Sequence, residues 1–333
     1  MPEPSPTTKR RGRLLRIGAA FVVLLALAGY LTVQYLTGGT GAPGCKVVSG
    51  KGDGASYEFT PEQAVNAATI AAVGTGRGMP ERAVTIALAT ALQESGLRNI
   101  RHGDRDSLGL FQQRPSQGWG TPKEIMDPTY AAGVFYEHLA KVPGYTRLPL
   151  TVAAQRVQRS GYPQAYAKHE PDATLLAAAL TGRAAATLTC EGRPGANRTT
   201  GPDAVRAAVV RDFGRDFGRD FGRDVVQEAG AEVSGGSSPT PAATETSGGS
   251  GRTVTLPVPA GTGAAAARSV RQRGWQLAHW AVANASALHI ARVSYAGREW
   301  TAGITDSTWR ATGGQGTRGA EEDTGAVRIV TAR

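Results

Sequence analysis

Only two cysteines occur in the 333 residues, Cys45 and Cys190, and between them they enclose one continuous stretch of chain. Paired, they close a loop of about 145 residues and remove on the order of 4–5 kcal/mol of chain entropy from the unfolded state. Whatever lies between them must then fold with its two ends together. The alternative is two unpaired thiols. Two cysteines without a nearby histidine cluster make no zinc site, so neither a metal nor any other cofactor is expected.

Pairing depends on the compartment, and the N-terminus speaks to that. Residues 17–36 are about twenty mostly apolar positions, enough for a hydrocarbon core of roughly 30 Å. Lys9, Arg10, Arg11, Arg13 and Arg16 precede the run, and no basic residue follows before Lys46. By the positive-inside rule, a basic tail over 1–13 stays in the cytoplasm, residues 14–36 span the membrane once, and the rest is exported. The run Ala26-Leu27-Ala28 resembles a small-x-small cleavage site, so secretion after signal removal is the alternative. The apolar run continues past it through Tyr30, Leu31, Val33 and Tyr35, which suits an anchor. Either way the body lies where disulfides persist, and the bridge is the preferred reading.

The formal charge of +10 is owed in part to that basic flank. Nucleic acid is excluded as a partner by export and by the lack of a basic stripe interleaved with aromatics. An anionic wall polymer or a membrane surface remains.

Composition divides the exported part. Residues 37–58 are Gly-rich and read as a stalk. Residues 59–190 are periodic and helix-forming, long enough to bury a core. Residues 191–252 read as a disordered linker ending in Gly/Ser/Pro-rich sequence. The linker contains a tandem Arg-Asp-Phe-Gly repeat over 211–224, whose glycines disfavour a helix. Residues 253–333 read as a small α+β module, with a helical pattern over 276–284 and strand-like runs at 290–295 and 326–330.

Within 59–190 the helix signals are local and strong. Thr60-Pro61-Glu62-Gln63 sets out an N-cap, a first-turn proline and a capping-box glutamine. Pro80 opens a second helix and Gly96 stops it. Asp127-Pro128 starts a third, Thr151 caps a fourth, and residues 171–180 supply a last one. A short strand is expected over 108–113. The expected fold class is therefore mainly α: an N-terminal transmembrane helix, a helical domain with a small β excursion, a flexible linker and a small α+β C-terminal module.

One carboxylate stands out. Residues 91–97 read Ala-Leu-Gln-Glu-Ser-Gly-Leu, placing Glu94 in the last turn of an apolar helix. There the negative end of the helix dipole disfavours its ionised form, and a partly apolar pocket acts in the same direction. A carboxyl so held can keep its proton near neutral pH and donate it to a glycosidic oxygen. Asp104 and Asp106, ten and twelve residues on, are candidate second carboxylates; loop capping is the alternative for both. Trp119, within Gln-Gly-Trp-Gly-Thr, suits a sugar-stacking or a packing role equally.

Glu94-Ser95 followed by Gly109-Leu110-Phe111-Gln112 resembles the lysozyme-like soluble lytic transglycosylases and goose-type lysozymes, in an actinobacterial-looking variant, over about residues 60–182. The resemblance implies a lysozyme-like helical domain acting on peptidoglycan. Glu94 would be its catalytic glutamate, with Ser95 and Gln112 in the substrate groove. In that family a single carboxyl can suffice, because the substrate's own N-acetyl or 6-hydroxyl group completes the reaction and leaves an anhydro sugar. The family's Tyr-Asn-Ala-Gly segment has no match in Val157-Gln158-Arg159-Ser160-Gly161-Tyr162, although Tyr166 stands where a later family tyrosine would. The C-terminal segment, through Trp275, His279, Trp280, Trp300 and Trp309, resembles a degenerate D-Ala-D-Ala carboxypeptidase-like domain. Its closing strand lacks the zinc-binding histidines, and His279 and His289 alone make no site.

Two functions follow from these residues. One is a membrane-anchored enzyme, lytic transglycosylase or muramidase, that cleaves glycan strands outside the cell. The other is a non-catalytic scaffold tethering the membrane to peptidoglycan or to a wall-synthesis partner.

Overall fold

The computed structural model describes residues 44–192, 201–214, 252–258, 269–303, 308–312 and 325–332. The expected tail and anchor over 1–36 lie outside them. Among the described residues no helix is long and apolar enough to cross a membrane. The longest, Pro61–Gly76, has 16 residues and spans roughly 24 Å, short of a hydrocarbon core. The mainly α class with a transmembrane helix is corrected on a second count too. Of the described residues about 49% are helical and 17% lie in strands, and the strands form two sheets, so the fold is α+β. The strands at 45–48, 56–59 and 188–190 escaped notice because they are only three or four residues long.

The first sheet is built where a stalk was expected. Strand β1 (Cys45–Val48) alternates buried and exposed positions and pairs antiparallel with β2 (Ser56–Phe59). On its other edge lies β3 (Leu188–Cys190), with Cys45 directly opposite Cys190. The two cysteines form a disulfide there. The ends of the enclosed segment are thus joined twice, by a ladder and by a covalent bond.

The helices between them follow the local signals closely. Helix α1 (Pro61–Gly76) carries the full Thr60/Gln63 capping box. Helix α2 (Glu81–Ser95) ends at Gly96, whose φ of 63° is the left-handed stop. The short α3 (Pro122–Ile125) and α4 (Pro128–Ala140) follow, the latter capped by Asp127. Helix α5 (Leu150–Gln158) starts two residues earlier than expected; Thr151 lies inside it and Pro149 takes the cap position. A 3-10 segment (Pro163–His169) leads into α6 (Glu170–Leu180). The core is dense in alanine, which lets helices approach closely. At Gly74 an added Cβ would lie 2.6 Å from the Tyr136 ring, whose hydroxyl donates to the Ile70 carbonyl.

Two segments differ from expectation. Part of the supposed linker is a helix, α7 (Pro202–Phe213), whose first-turn proline and buried Val205, Ala208 and Val209 dock it on α1. The expected strand over 108–113 is a tight hairpin turn in which only Leu108 and Gln113 exchange backbone bonds. Gly109 at φ 76° and Gln112 at φ 47° make that reversal, and a Cβ at Gly109 would press on the Ile125 carbonyl at 2.8 Å.

The C-terminal segment holds helix α8 (Val270–Ala283), the short α9 (Ala285–Leu288) and a five-stranded antiparallel sheet. Its strands are β4 (Thr253–Pro257), β5 (Ile290–Tyr295), β6 (Arg298–Thr301), β7 (Arg310–Ala311) and β8 (Ala326–Thr331), in the order β4-β8-β5-β6-β7. The helix and strands expected here are present. Every residue of α8 from Arg273 to Ala283 is buried, because β5 and β8 cover one side while α1, α6 and β3 cover the other. A helix buried all round is a core element. Gly44–Arg333 therefore forms one compact unit with one continuous apolar cluster.

Candidate active site

Gly96 decides where Glu94 stands. Its left-handed turn ends α2 and returns its N–H to the Ala91 and Leu92 carbonyls, leaving Glu94 in the last turn. Ser95 pins that end to the following hairpin, its hydroxyl donating to the Leu110 carbonyl at 2.8 Å and to the Ala91 carbonyl at 3.1 Å. Ser95 thus holds the scaffold of the site rather than facing solvent; it is buried.

One side chain holds the carboxylate directly. Tyr166, itself fully buried, donates from its hydroxyl to Glu94 Oε1 at 2.7 Å. The Gln158 side chain lies near the carboxylate, while its Nε2 donates to the Phe111 carbonyl at 2.7 Å. Burial, the largest effect, raises the Glu94 pKa; Tyr166, then the nearby Gln158 amide, pull it down by less. The net shift is upward. The Tyr166 hydroxyl is pushed well above its ordinary range by burial and then by the neighbouring carboxylate, so it remains a donor. A carboxyl that keeps its proton more readily than usual, in fixed orientation, can deliver that proton to a leaving oxygen.

The other sequence candidates separate into distinct settings. Asp106 accepts from Ser116 N–H at 2.8 Å and Arg114 Nε at 2.7 Å. Its bonds to Ser116, then that to Arg114, hold its carboxyl far below the usual carboxylate range. Asp104 is 94% exposed at its side chain and touches only Arg105, at 4.0 Å. Among the described residues the bond to Glu94 thus comes from Tyr166 and from neither aspartate. Gln112 curls back over its own turn, donating to the Gly109 carbonyl at 3.2 Å. Its neighbour Gln113 is the buried one and ties the hairpin to α4 through the Ala131 carbonyl.

A cleft of about 590 Å³ meets this group at Gln158, with Glu94 and Tyr166 outside its lining. Trp119, His138, Lys141, Arg156, Gln158 and Arg159 help to line it. Trp119 stacks on the His138 ring, centroids 4.3 Å apart at 25°. Gln158, which sequence reasoning missed, joins cleft to carboxylate. Its one cue was position, in the segment where the family's Asn-Ala-Gly is absent.

In the C-terminal segment His279 is fully buried. Its Nδ1–H donates to the Ala179 carbonyl at 2.8 Å and its Nε2 accepts from Thr187 N–H at 3.2 Å. Both nitrogens are engaged by backbone, and burial holds the pKa down at about 4. His289 takes a left-handed turn at the end of α9. Among the described residues no group of three or more His, Cys, Asp or Glu could hold a metal.

A family model described as VldE, C-terminal domain, matches residues 219–322. The match covers less than a third of the chain and takes in α8, α9 and β4 to β7 but not the Glu94 site. No curated protein matches the chain.

Proposed function

We propose that this chain cleaves the glycan strand of peptidoglycan outside the cytoplasm, with Glu94 as general acid. The supporting observation is Glu94 itself: half-buried, raised in pKa, hydrogen-bonded by Tyr166, and neighboured by Gln158, which lines an open cleft. Export is supported by the disulfide, which belongs to an oxidising compartment. Two carboxylates about 5–10 Å apart serve ordinary glycoside hydrolysis. Here Asp106 is committed to Arg114 and Ser116. That favours transglycosylation, in which the substrate supplies the second group, over hydrolysis through an activated water.

The alternative, a wall-binding scaffold, predicts binding without turnover. The test is incubation of the full chain with peptidoglycan sacculi, followed by mass spectrometry of soluble products. Anhydro-sugar fragments from wild type, absent with Glu94→Gln, are expected. Reducing-end products would overturn the transglycosylase reading in favour of hydrolysis. No release by wild type would overturn the enzyme reading altogether.

A further inference from the structure

The cleft that Gln158 lines has a charge imbalance. Several basic side chains elsewhere pair with acids: Arg77 with Glu137, Arg82 with Glu170, Arg114 with Asp106, Arg183 with Glu81. Lys141, Arg156 and Arg159 have no acidic partner among the described residues, and all three face one cleft whose lining holds no acidic side chain. Charges of one sign lining a concave wall concentrate an opposite charge there. The His138 imidazole registers that field: after burial, Lys141 and Arg159 hold its pKa down, with Glu137 opposing.

Arg159 is placed there at a cost. It closes α5 with φ 53°, a backbone region that favours glycine. Its N–H donates to the Gln155 carbonyl at 2.8 Å, and the Gln155 side chain donates onward to the Ser160 carbonyl at 2.8 Å. The backbone is thus locked with an exposed guanidinium presented at the rim. The same lining includes the Trp119 indole, one face of which stacks on His138, leaving the other as an apolar face of the kind sugars stack on.

We propose that this cleft selects carboxylate-bearing sugars, with Lys141, Arg156 and Arg159 as the selecting residues and Trp119 as the stacking platform. The inference rests on reading Glu94 as the acid of a glycan-cleaving site, and Gln158 connects the two. Its side chain lines the cleft and lies close enough to the Glu94 carboxylate to lower its pKa. A sugar seated here therefore lies against a residue that neighbours the acid. In a wall glycan the carboxylate comes either from the lactyl ether of muramic acid or from an attached peptide stem. Both present the same chemistry to arginine, which takes carboxylates through paired N–H donors.

The test uses full-length chain carrying Glu94→Gln, so that ligands survive, and follows indole fluorescence and calorimetric binding. Three ligands are compared at low and high salt. They are an N-acetylglucosamine tetramer, the alternating N-acetylglucosamine–N-acetylmuramic acid tetramer, and that tetramer bearing peptide stems. The acidic tetramers should bind roughly tenfold or more tightly than the neutral one at low salt, the increment one charge-assisted hydrogen bond supplies. High salt should shrink the gap. Arg156→Gln with Arg159→Gln should abolish it while leaving neutral-sugar binding and the melting temperature in place. The single substitutions, at exposed side chains, serve if the double variant is unstable. The stem is joined to the lactyl carboxyl as an amide, so each acidic ligand carries only one kind of carboxylate. Tighter binding of the stemless tetramer points to the lactyl group, tighter binding of the stem-bearing one to the peptide carboxylate, and equal binding to a site that accepts either. Equal affinity for neutral and acidic tetramers, a preference that survives the substitutions, or no saccharide binding overturns the proposal. Failure of the enzyme reading is separate: wild type that releases nothing from sacculi while the preference persists leaves an acidic-sugar site without catalysis.

Discussion

The Tyr166 hydroxyl donates a 2.7 Å hydrogen bond to Glu94 Oε1 across 72 residues of sequence. The bond favours the ionised carboxylate and so opposes the effect of burial. Tyr166→Phe removes it with little change of shape. The Glu94 pKa should move further up, and the basic limb of the pH–rate profile should move with it to higher pH. Loss of the oriented partner should also lower the plateau rate by roughly tenfold. An unmoved basic limb would separate Tyr166 from the acid's titration.

His279 makes stability depend on pH. Its folded pKa of about 4 lies below the ordinary imidazole value of about 6.5, so between those values the unfolded chain binds the extra proton. Stability contributed by the neutral ring is full above about pH 6.5 and is lost as pH falls toward 4. The whole window corresponds to about 3 kcal/mol. Chemical denaturation at stepped pH should show this slope in wild type and a flatter one in His279→Gln.

Asp212 belongs to the first Arg-Asp-Phe-Gly copy, and its carboxylate is buried. It accepts from Trp280 Nε1 at 2.8 Å and from the Thr69 hydroxyl at 3.3 Å, joining α7 to both α8 and α1. Asp212→Ala strands the indole N–H and the Arg211 guanidinium. A loss of about 3 kcal/mol is expected, read as a lowered denaturation midpoint. A change below about 0.5 kcal/mol would mean that α7 does not contribute to the fold's stability.

The disulfide should carry comparable weight. Cys45→Ser or Cys190→Ser frees a chain segment of 145 residues' separation and should cost about 4–5 kcal/mol in the chain-entropy account. Wild type treated with a thiol reductant should melt at the same lowered temperature as the variants. A reductant-insensitive melt would show that the β1–β3 ladder holds the ends without help.

Much of the first helical segment was legible because its determinants are local. Thr60, Pro61 and Gln63 cap a helix by contacts within four residues, and Gly96 ends one through its own backbone freedom. Glu94 was legible for the same reason, since its place follows directly from that stop. The strands at 45–48 and 56–59 were hidden by Gly-rich surroundings, and α7 was hidden by a repeat whose glycines argue against a helix. Gln112 was singled out and Gln113 passed over. The two positive-φ positions of the hairpin turn Gln112 back on its own loop and send Gln113 into the core.

The sequence by itself determined the helix boundaries around Glu94 and its place in the last turn, because caps and stops act over a single turn. Only the tertiary structure decided what surrounds that carboxylate. Tyr166, Gln158 and the cationic cleft arrive from elements distant in the chain, as do the backbone groups that enclose His279. Such meetings depend on which apolar faces bury one another, and burial is a property of the whole core rather than of any stretch of it.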